Sequence, residues 1–293
     1  MTIIFAIAFS LTTGVPHTVV PSTFVAGRVF ATPLVSNSLR RMVLWLDTDG
    51  AGFIRSKAVS ELRLQTTTIK GKAAAYLPRF DTLEFPSISA DRGALPVLDE
   101  ADVGNKPMYS EIDGQLGASW FVDRIWTIDY VNHQVWLDHA APSYHSADAV
   151  PLIYDSTHRY PRVQLSIDGA TYLGALDTAA TIALSEKGAS FVGDGLPQVR
   201  ATSFVRRSTV AGWHAAHPEW AYLAEAGIGP GVSLIRVPEV RANRVVFHNV
   251  WFTARANDDV FAGKSVDVEL GPTAYGRCSV LLDYVHDVSA FQC

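Results

Sequence analysis

The sequence predicts an all-β protein with few short helices, folded as two pseudo-symmetric lobes around a central cleft. Three observations carry this. The composition is that of an ordered globular chain, the sequence repeats itself once at a fixed offset, and each copy ends an apolar β-type run in Leu-Asp-Thr.

A chain of 293 residues holds one large β domain or two smaller ones, each with its own core. With 48% apolar and 18% charged residues, disorder is excluded. The net charge of -5 is mild, and no run of Lys or Arg marks a nucleic-acid groove, so no nucleic-acid partner is expected. The pairs Arg40-Arg41 and Arg206-Arg207 read as solvated turn residues.

Shifting the sequence by 130 residues superposes the halves without a gap over a long stretch. Val20-Pro21 falls on Val150-Pro151, Phe30 on Tyr160, Val35 on Leu165, and Leu46-Asp47-Thr48 on Leu176-Asp177-Thr178. A second landmark closes each half: Leu116-Gly117 precedes Asp129-Tyr130 by twelve residues, and Leu270-Gly271 precedes Asp283-Tyr284 by the same distance. Between Asp177 and Gly271 lie 94 residues, against 70 between Asp47 and Gly117, which places an insertion of 24 around residues 200–228. Ordered landmarks at matched spacings are what a duplicated lobe leaves behind.

Residues 23–35 and 42–46 are rich in Val, Phe, Leu and Trp, with Ser36, Asn37 and Ser38 turning between them. In the second half, residues 162–167 alternate polar and apolar, meet the hairpin dipeptide Asp168-Gly169, and return through 171–176. Further strands are expected at 124–129, 134–137, 244–253 and 280–284, and helices at 56–64, 119–123 and 218–226, where Pro218 suits a first helical turn. The division expected is a leader or extension over 1–18, one lobe over 19–140 and a second over 150–293, joined through the Ala-, Pro-, Ser- and His-rich stretch 138–149.

Residues 1–11 are apolar without Lys or Arg and too short to span a bilayer, so no stable membrane span is expected. They read either as the core of an export signal with a weak n-region or as a truncated leader or N-terminal strand, with a lean towards export. Cys278 and Cys293 cannot hold a metal on their own, and a disulfide between them depends on an oxidising compartment. His214 and His217 read as a loop entering a helix, not as ligands, so no metal is expected.

Two Leu-Asp-Thr strand ends suggest paired carboxylates. Two carboxyl groups held about 3 Å apart cannot both ionise and share one proton. The ionised member can then take a proton from water while the other donates one to a carbonyl, and the pair titrates as a unit. At this point the sequence resembles aspartic peptidases of the retropepsin and pepsin type, in particular bacterial proteins carrying two retropepsin-like lobes in one chain. Residues 44–48 (Leu-Trp-Leu-Asp-Thr) and 174–178 (Gly-Ala-Leu-Asp-Thr) are similar to the apolar strand that delivers the family's Asp-Thr-Gly turn. Residues 113–117 with 126–130, and 269–271 with 281–284, resemble its hydrophobic-Gly segment and following strand.

The resemblance covers nearly the whole chain from about Val19. It implies Asp47 and Asp177 as a catalytic dyad, Thr48 and Thr178 bonding across the lobes, and Gly117 and Gly271 packed beneath the turns. It further implies a peptide or protein substrate, no cofactor, and a monomer sufficient for a complete site. The chain departs from the pattern at the third turn position, where Asp49 and Ala179 replace Gly, and at Gln115 and Glu269, where an apolar residue is usual. A slip to Asp49-Gly50-Ala51 as the turn would break the matched spacing. Tyr76 and Tyr109 are candidates for an aromatic residue over the cleft. Two functions follow: an endopeptidase using a water activated by the dyad, or a peptide-binding module that has lost the chemistry at Asp49 and Ala179. If Asp49 faces the dyad, the binding reading gains. If it faces solvent, the enzyme survives. A Gly-x-Ser-x-Gly elbow and a phosphate-cradling Gly-rich loop are both absent from the sequence, and Cys278 has no basic neighbour.

Overall fold

The computed structural model describes residues 16–81, 85–88, 93–103, 106–142, 149–154, 159–255 and 259–293. The apolar N-terminal stretch 1–11 and the middle of the expected inter-lobe connection lie outside the described residues.

Each lobe is built round the same crossed motif. In the first, strand Leu44–Leu46 pairs in parallel with Gly114–Leu116, placing Trp45 beside Gln115 and Leu46 beside Leu116. In the second, the end of Ala170–Leu176 pairs in parallel with Val268–Leu270, placing Ala175 beside Glu269 and Leu176 beside Leu270. These central strands are buried on both faces; Leu44–Leu46 accordingly reads as an apolar run, while Gln115 and Glu269 stand as buried polar residues in their partners. Among the described residues the first-lobe sheet has eight strands. The second has seven and curls back on itself, since Leu234–Ala242 also pairs with Arg162–Ile167.

A third, six-stranded sheet joins the lobes. Its central pair is Ile125–Asp129 against Ser279–Asp283, antiparallel, with Thr127 opposite Leu281. Each central strand continues as a hairpin, into Gln134–Asp138 and Val288–Gln292, and His17–Val20 and Ala149–Pro151 form the two edges. The repeated Asp-Tyr landmark has a local cause here. Asp129 accepts the amides of Val131 and Asn132 at 2.9 and 3.0 Å, and Asp283 those of Val285 and His286 at 3.0 and 2.9 Å. Each carboxylate thus closes a hairpin turn in the manner of an Asx turn. The tyrosines that follow are buried, and Tyr130 meets Tyr275 of the other lobe edge to face at 5.6 Å. Near the end of the same sheet Cys278 and Cys293 form a disulfide.

Three expectations are corrected. Residues 23–35 are not one strand: Ala26 and Gly27 both take positive φ, folding Ser22–Val25 and Arg28–Ala31 into a tight hairpin. Residues 218–226 are not helical. The helix runs Arg207–Ala216 and stops at His217, whose φ of -131° and ψ of 70° satisfy the steric demand of the following Pro218. Proline acts there as a helix stop, and residues Tyr222–Leu223 pair as a strand with Leu234–Ile235. His214 accordingly lies within a helix, stacked on Tyr222 at 3.9 Å, and His217 sits at its C-terminal end. The expected helix at 119–123 runs Ala118–Phe121, and that at 56–64 runs Ser56–Leu62.

Candidate functional site

The parallel pairing in each lobe ends at an aspartate. The Asp47 amide donates to the Leu116 carbonyl at 2.9 Å and the Asp177 amide to the Leu270 carbonyl at 3.0 Å, so both residues leave their strands at equivalent points. The next residues cross between lobes. Thr48 Oγ1 donates to the Leu176 carbonyl at 2.5 Å and accepts the Thr178 amide at 3.2 Å. Thr178 Oγ1 donates to the Leu46 carbonyl at 2.7 Å and accepts the Thr48 amide at 3.2 Å. This reciprocal exchange uses the Asp47-Thr48 register, so the slipped turn on Asp49-Gly50-Ala51 is not the one formed. Both threonines are fully buried, where such bonds have no water to compete with them.

Each aspartate is further fixed by its own turn. Asp47 Oδ1 accepts the Asp49 amide at 3.0 Å, and Asp177 Oδ1 accepts the Ala179 amide at 2.8 Å. A Cβ on Gly117 would run into the backbone of Gly50 and Gly52, and one on Gly271 into the Thr202 carbonyl. These glycines stand beneath the turns for steric room, not for an unusual φ. A Cβ on Gly50 would strike the Asp47 carboxylate itself.

The four residues that depart from the pattern the sequence resembles, Asp49, Ala179, Gln115 and Glu269, converge on the same place. Gln115 Nε2 donates to Asp47 Oδ2 at 2.7 Å and to the Ala51 carbonyl at 2.8 Å. Asp49 is buried, and its Oδ2 accepts from Lys264 Nζ of the second lobe at 2.5 Å. It does not point to solvent: it turns inward beside Asp177, paired through Oδ2 with Lys264, and an Asp49 that faces the dyad favours the binding reading. Lys264 also bonds Glu269 Oε1 at 2.8 Å, and Arg255 pairs with Glu269 Oε2 at 2.8 Å. Oxygens of Asp49, Asp177 and Glu269 lie within 4.8 Å of one another. Such a set could ligate a divalent ion, but the Lys264 ammonium already bonds two of its three members. Ala179 adds only a methyl, which packs against the cluster of Phe30, Trp45, Phe53 and Ile112.

Charge and burial shift the carboxyls strongly. Asp47 is held well above the usual carboxylate range by withdrawal from water, then by Asp177 and Asp49, with Lys264 and the Asp49 amide acting against this. Asp177 is raised to about 6 by burial and by Glu269, with Lys264, the Ala179 amide and Arg255 opposing. Asp49 is pushed up to about 8 by burial, against the pull of Lys264. Lys264 is raised because the surrounding carboxylates outweigh its own desolvation.

Asp47 and Asp177 line one cleft of about 640 Å³, within the range of ligand-sized sites. Its first-lobe wall includes Trp45, Met108 and Tyr109, and its second-lobe wall Ile182, Phe204 and Val232. Of the two tyrosine candidates, Tyr109 lines this cleft, edge-on to Trp45 at 5.7 Å, and Tyr76 does not.

No family model matches the chain. No curated protein matches it either. Among solved structures, soybean basic 7S globulin superposes over 95% of both chains with a TM-score of 0.50 and 10% sequence identity. The fold is pepsin-like and two-lobed. At that identity the likeness concerns the fold alone. Among the described residues no helix is long and apolar enough to cross a membrane, which says nothing of membrane-spanning strands.

Lys264 and Arg255 have no signal in the sequence reading. A search could have asked what neutralises the extra carboxylates Asp49 and Glu269, and Lys264 stands five residues before Glu269.

Proposed function

We propose that this chain is an aspartic-type endopeptidase, hydrolysing peptide bonds with a water activated between Asp47 and Asp177. The observation that supports it best is the reciprocal Thr48–Thr178 exchange, which fixes the two aspartates at equivalent positions on facing turns. Asp177, the more easily ionised of the two, accepts a proton from water. The hydroxide so formed adds to the scissile carbonyl carbon, while Asp47, which keeps its proton to higher pH, donates it to the carbonyl oxygen. Collapse of the tetrahedral diol breaks the C–N bond: Asp177 gives its proton to the leaving nitrogen, Asp47 takes one from a diol hydroxyl as the new carbonyl forms, and the dyad returns to one shared proton. No covalent intermediate and no cofactor enter. The peptide lies extended between the apolar walls of the cleft. The disulfide supports an oxidising compartment, in keeping with export.

The test is cleavage of a mixed, unstructured protein substrate from about pH 3 to about pH 8 by the wild type, Asp47→Asn and Asp177→Asn. Loss of cleavage in both variants with folding intact is expected. Since Asp177 must be ionised, cleavage should rise towards about pH 6 and not peak in strong acid. A second reading, a peptide-binding module, is favoured by Asp49, which turns inward beside Asp177, and by the Gln115 amide, which occupies Asp47 Oδ2. Binding of peptides without cleavage by the wild type at any pH would select it.

A further inference from the structure

Asp49 and Glu269 add two buried carboxyls to the two of the dyad, and both partners that answer them, Lys264 and Arg255, come from the second lobe. The groups gathered here are Asp47, Asp49, Tyr109 and Tyr130 from the first lobe, and Asp177, Glu269, Lys264, Arg255, Tyr275 and Tyr284 from the second. The tyrosines stay neutral, because burial raises all four. In the state where the bond from Lys264 keeps Asp49 ionised against its burial, four carboxyls against two cations, with one proton held by the dyad, leave a single negative charge. That is the charge of a bare pair of carboxyls sharing one proton.

The ammonium is placed by the fold. Lys264 ends the helix Asp259–Lys264, and its carbonyl accepts from Arg162 at 2.6 Å. Phe261 of the same helix is fully buried under the Arg206 guanidinium, 5.3 Å from the ring centre. Asp49 Oδ1 has no hydrogen-bond partner among the described residues, so the bond from Lys264 is the chief polar contact holding that side chain.

We propose that Lys264 is a positioning residue of the dyad: a built-in cation that clamps Asp49 of the first-lobe turn to Glu269 and holds the charge around Asp47 and Asp177 at that of a two-carboxyl site. The activity arm of this inference rests on the peptidase reading. A purely structural clamp and a charge-setting one make different predictions. Removing the cation raises the proton affinity of the remaining carboxyls, and removing a carboxylate lowers it. Lys264→Met therefore moves the acid limb of the cleavage profile up by about one pH unit, and Asp49→Asn moves it down by a similar amount. The double variant returns close to the wild-type limb, and Lys264→Arg keeps it. The same opposed shifts are expected in a carboxyl-carbon NMR titration of Asp47 and Asp177, which needs no activity and reads the inference even if the wild type cleaves nothing. Limbs or titrations that stay in place, or move in the same direction in both single variants while only thermal stability falls, would overturn it. Lys264 would then be a latch between lobes. Cleavage that survives Asp47→Asn and Asp177→Asn would instead remove the peptidase reading and leave the NMR arm to decide.

Discussion

The two turns that carry the aspartates share one backbone and differ in their charges. In the first, Asp47-Thr48-Asp49-Gly50, the carboxylate takes a side-chain bond from Gln115, and Gly50 leaves no room for a Cβ beside it. In the second, Asp177-Thr178-Ala179-Ala180, the residue matching Gly50 is alanine, and the one matching Gln115 is Glu269, turned to Lys264 and Arg255. The cross-lobe threonine bonds are nearly superposable in the two directions, at 2.5 and 2.7 Å to the carbonyls and 3.2 Å from each amide. The comparison teaches that duplication here preserves hydrogen-bonded geometry strictly and leaves charge free to drift. An ionisable residue gained in one lobe, Asp49, is answered by a cation in the other.

The strongest way to break this comparison is to fill the space beneath each turn. Gly271→Ala and Gly117→Ala each force a methyl into backbone, and each should cost about 3 kcal/mol in urea unfolding. If only one is tolerated, the two turns are not packed alike. Next, the charge asymmetry can be read as stability against pH. The pKa of Asp177 is raised from 3.8 to about 6 in the fold, so the native state binds more protons than the unfolded chain between these values. Its burial costs nothing below about pH 4, and stability falls as pH rises through about 6. Asp177→Asn should therefore gain on the order of 2 kcal/mol at neutral pH and little at about pH 4, compared by thermal unfolding at the two values. A gain equal at both pH values would mean that the carboxyl is not held protonated by the fold. The smallest effect tests the symmetry itself. Thr48→Val and Thr178→Val should each lose about 1 kcal/mol of stability, equally, and the double variant less than the sum, since both belong to one network. Unequal losses would show one lobe carrying the grip.

Much of the fold was legible because a repeat reports itself by offset alone. The matched spacing of Leu46-Asp47-Thr48 and Leu176-Asp177-Thr178 fixed which residues lie at equivalent points, and Asp168-Gly169 forms the hairpin that its dipeptide specifies. What misled the reading was punctuation with two meanings. Pro218 fits a helix start as well as it fits the stop that it makes, and which applies depends on whether His217 is free to leave the α region. The long hairpin of Leu234–Ala242 with Val245–Ala254 was half seen, because its first strand carries Pro238 and charged residues on an exposed face.

The sequence by itself determined the duplication, the equivalence of Asp47 and Asp177, and the positions at which the chain departs from the pattern it resembles. Those depend on spacing and residue type, which are local. Only the tertiary structure decided what the departures do. The fate of Asp49 depends on an ammonium 215 residues away, carried on a short helix of the other lobe. No periodicity reaches that far, and a buried carboxylate is answered through space, not along the chain.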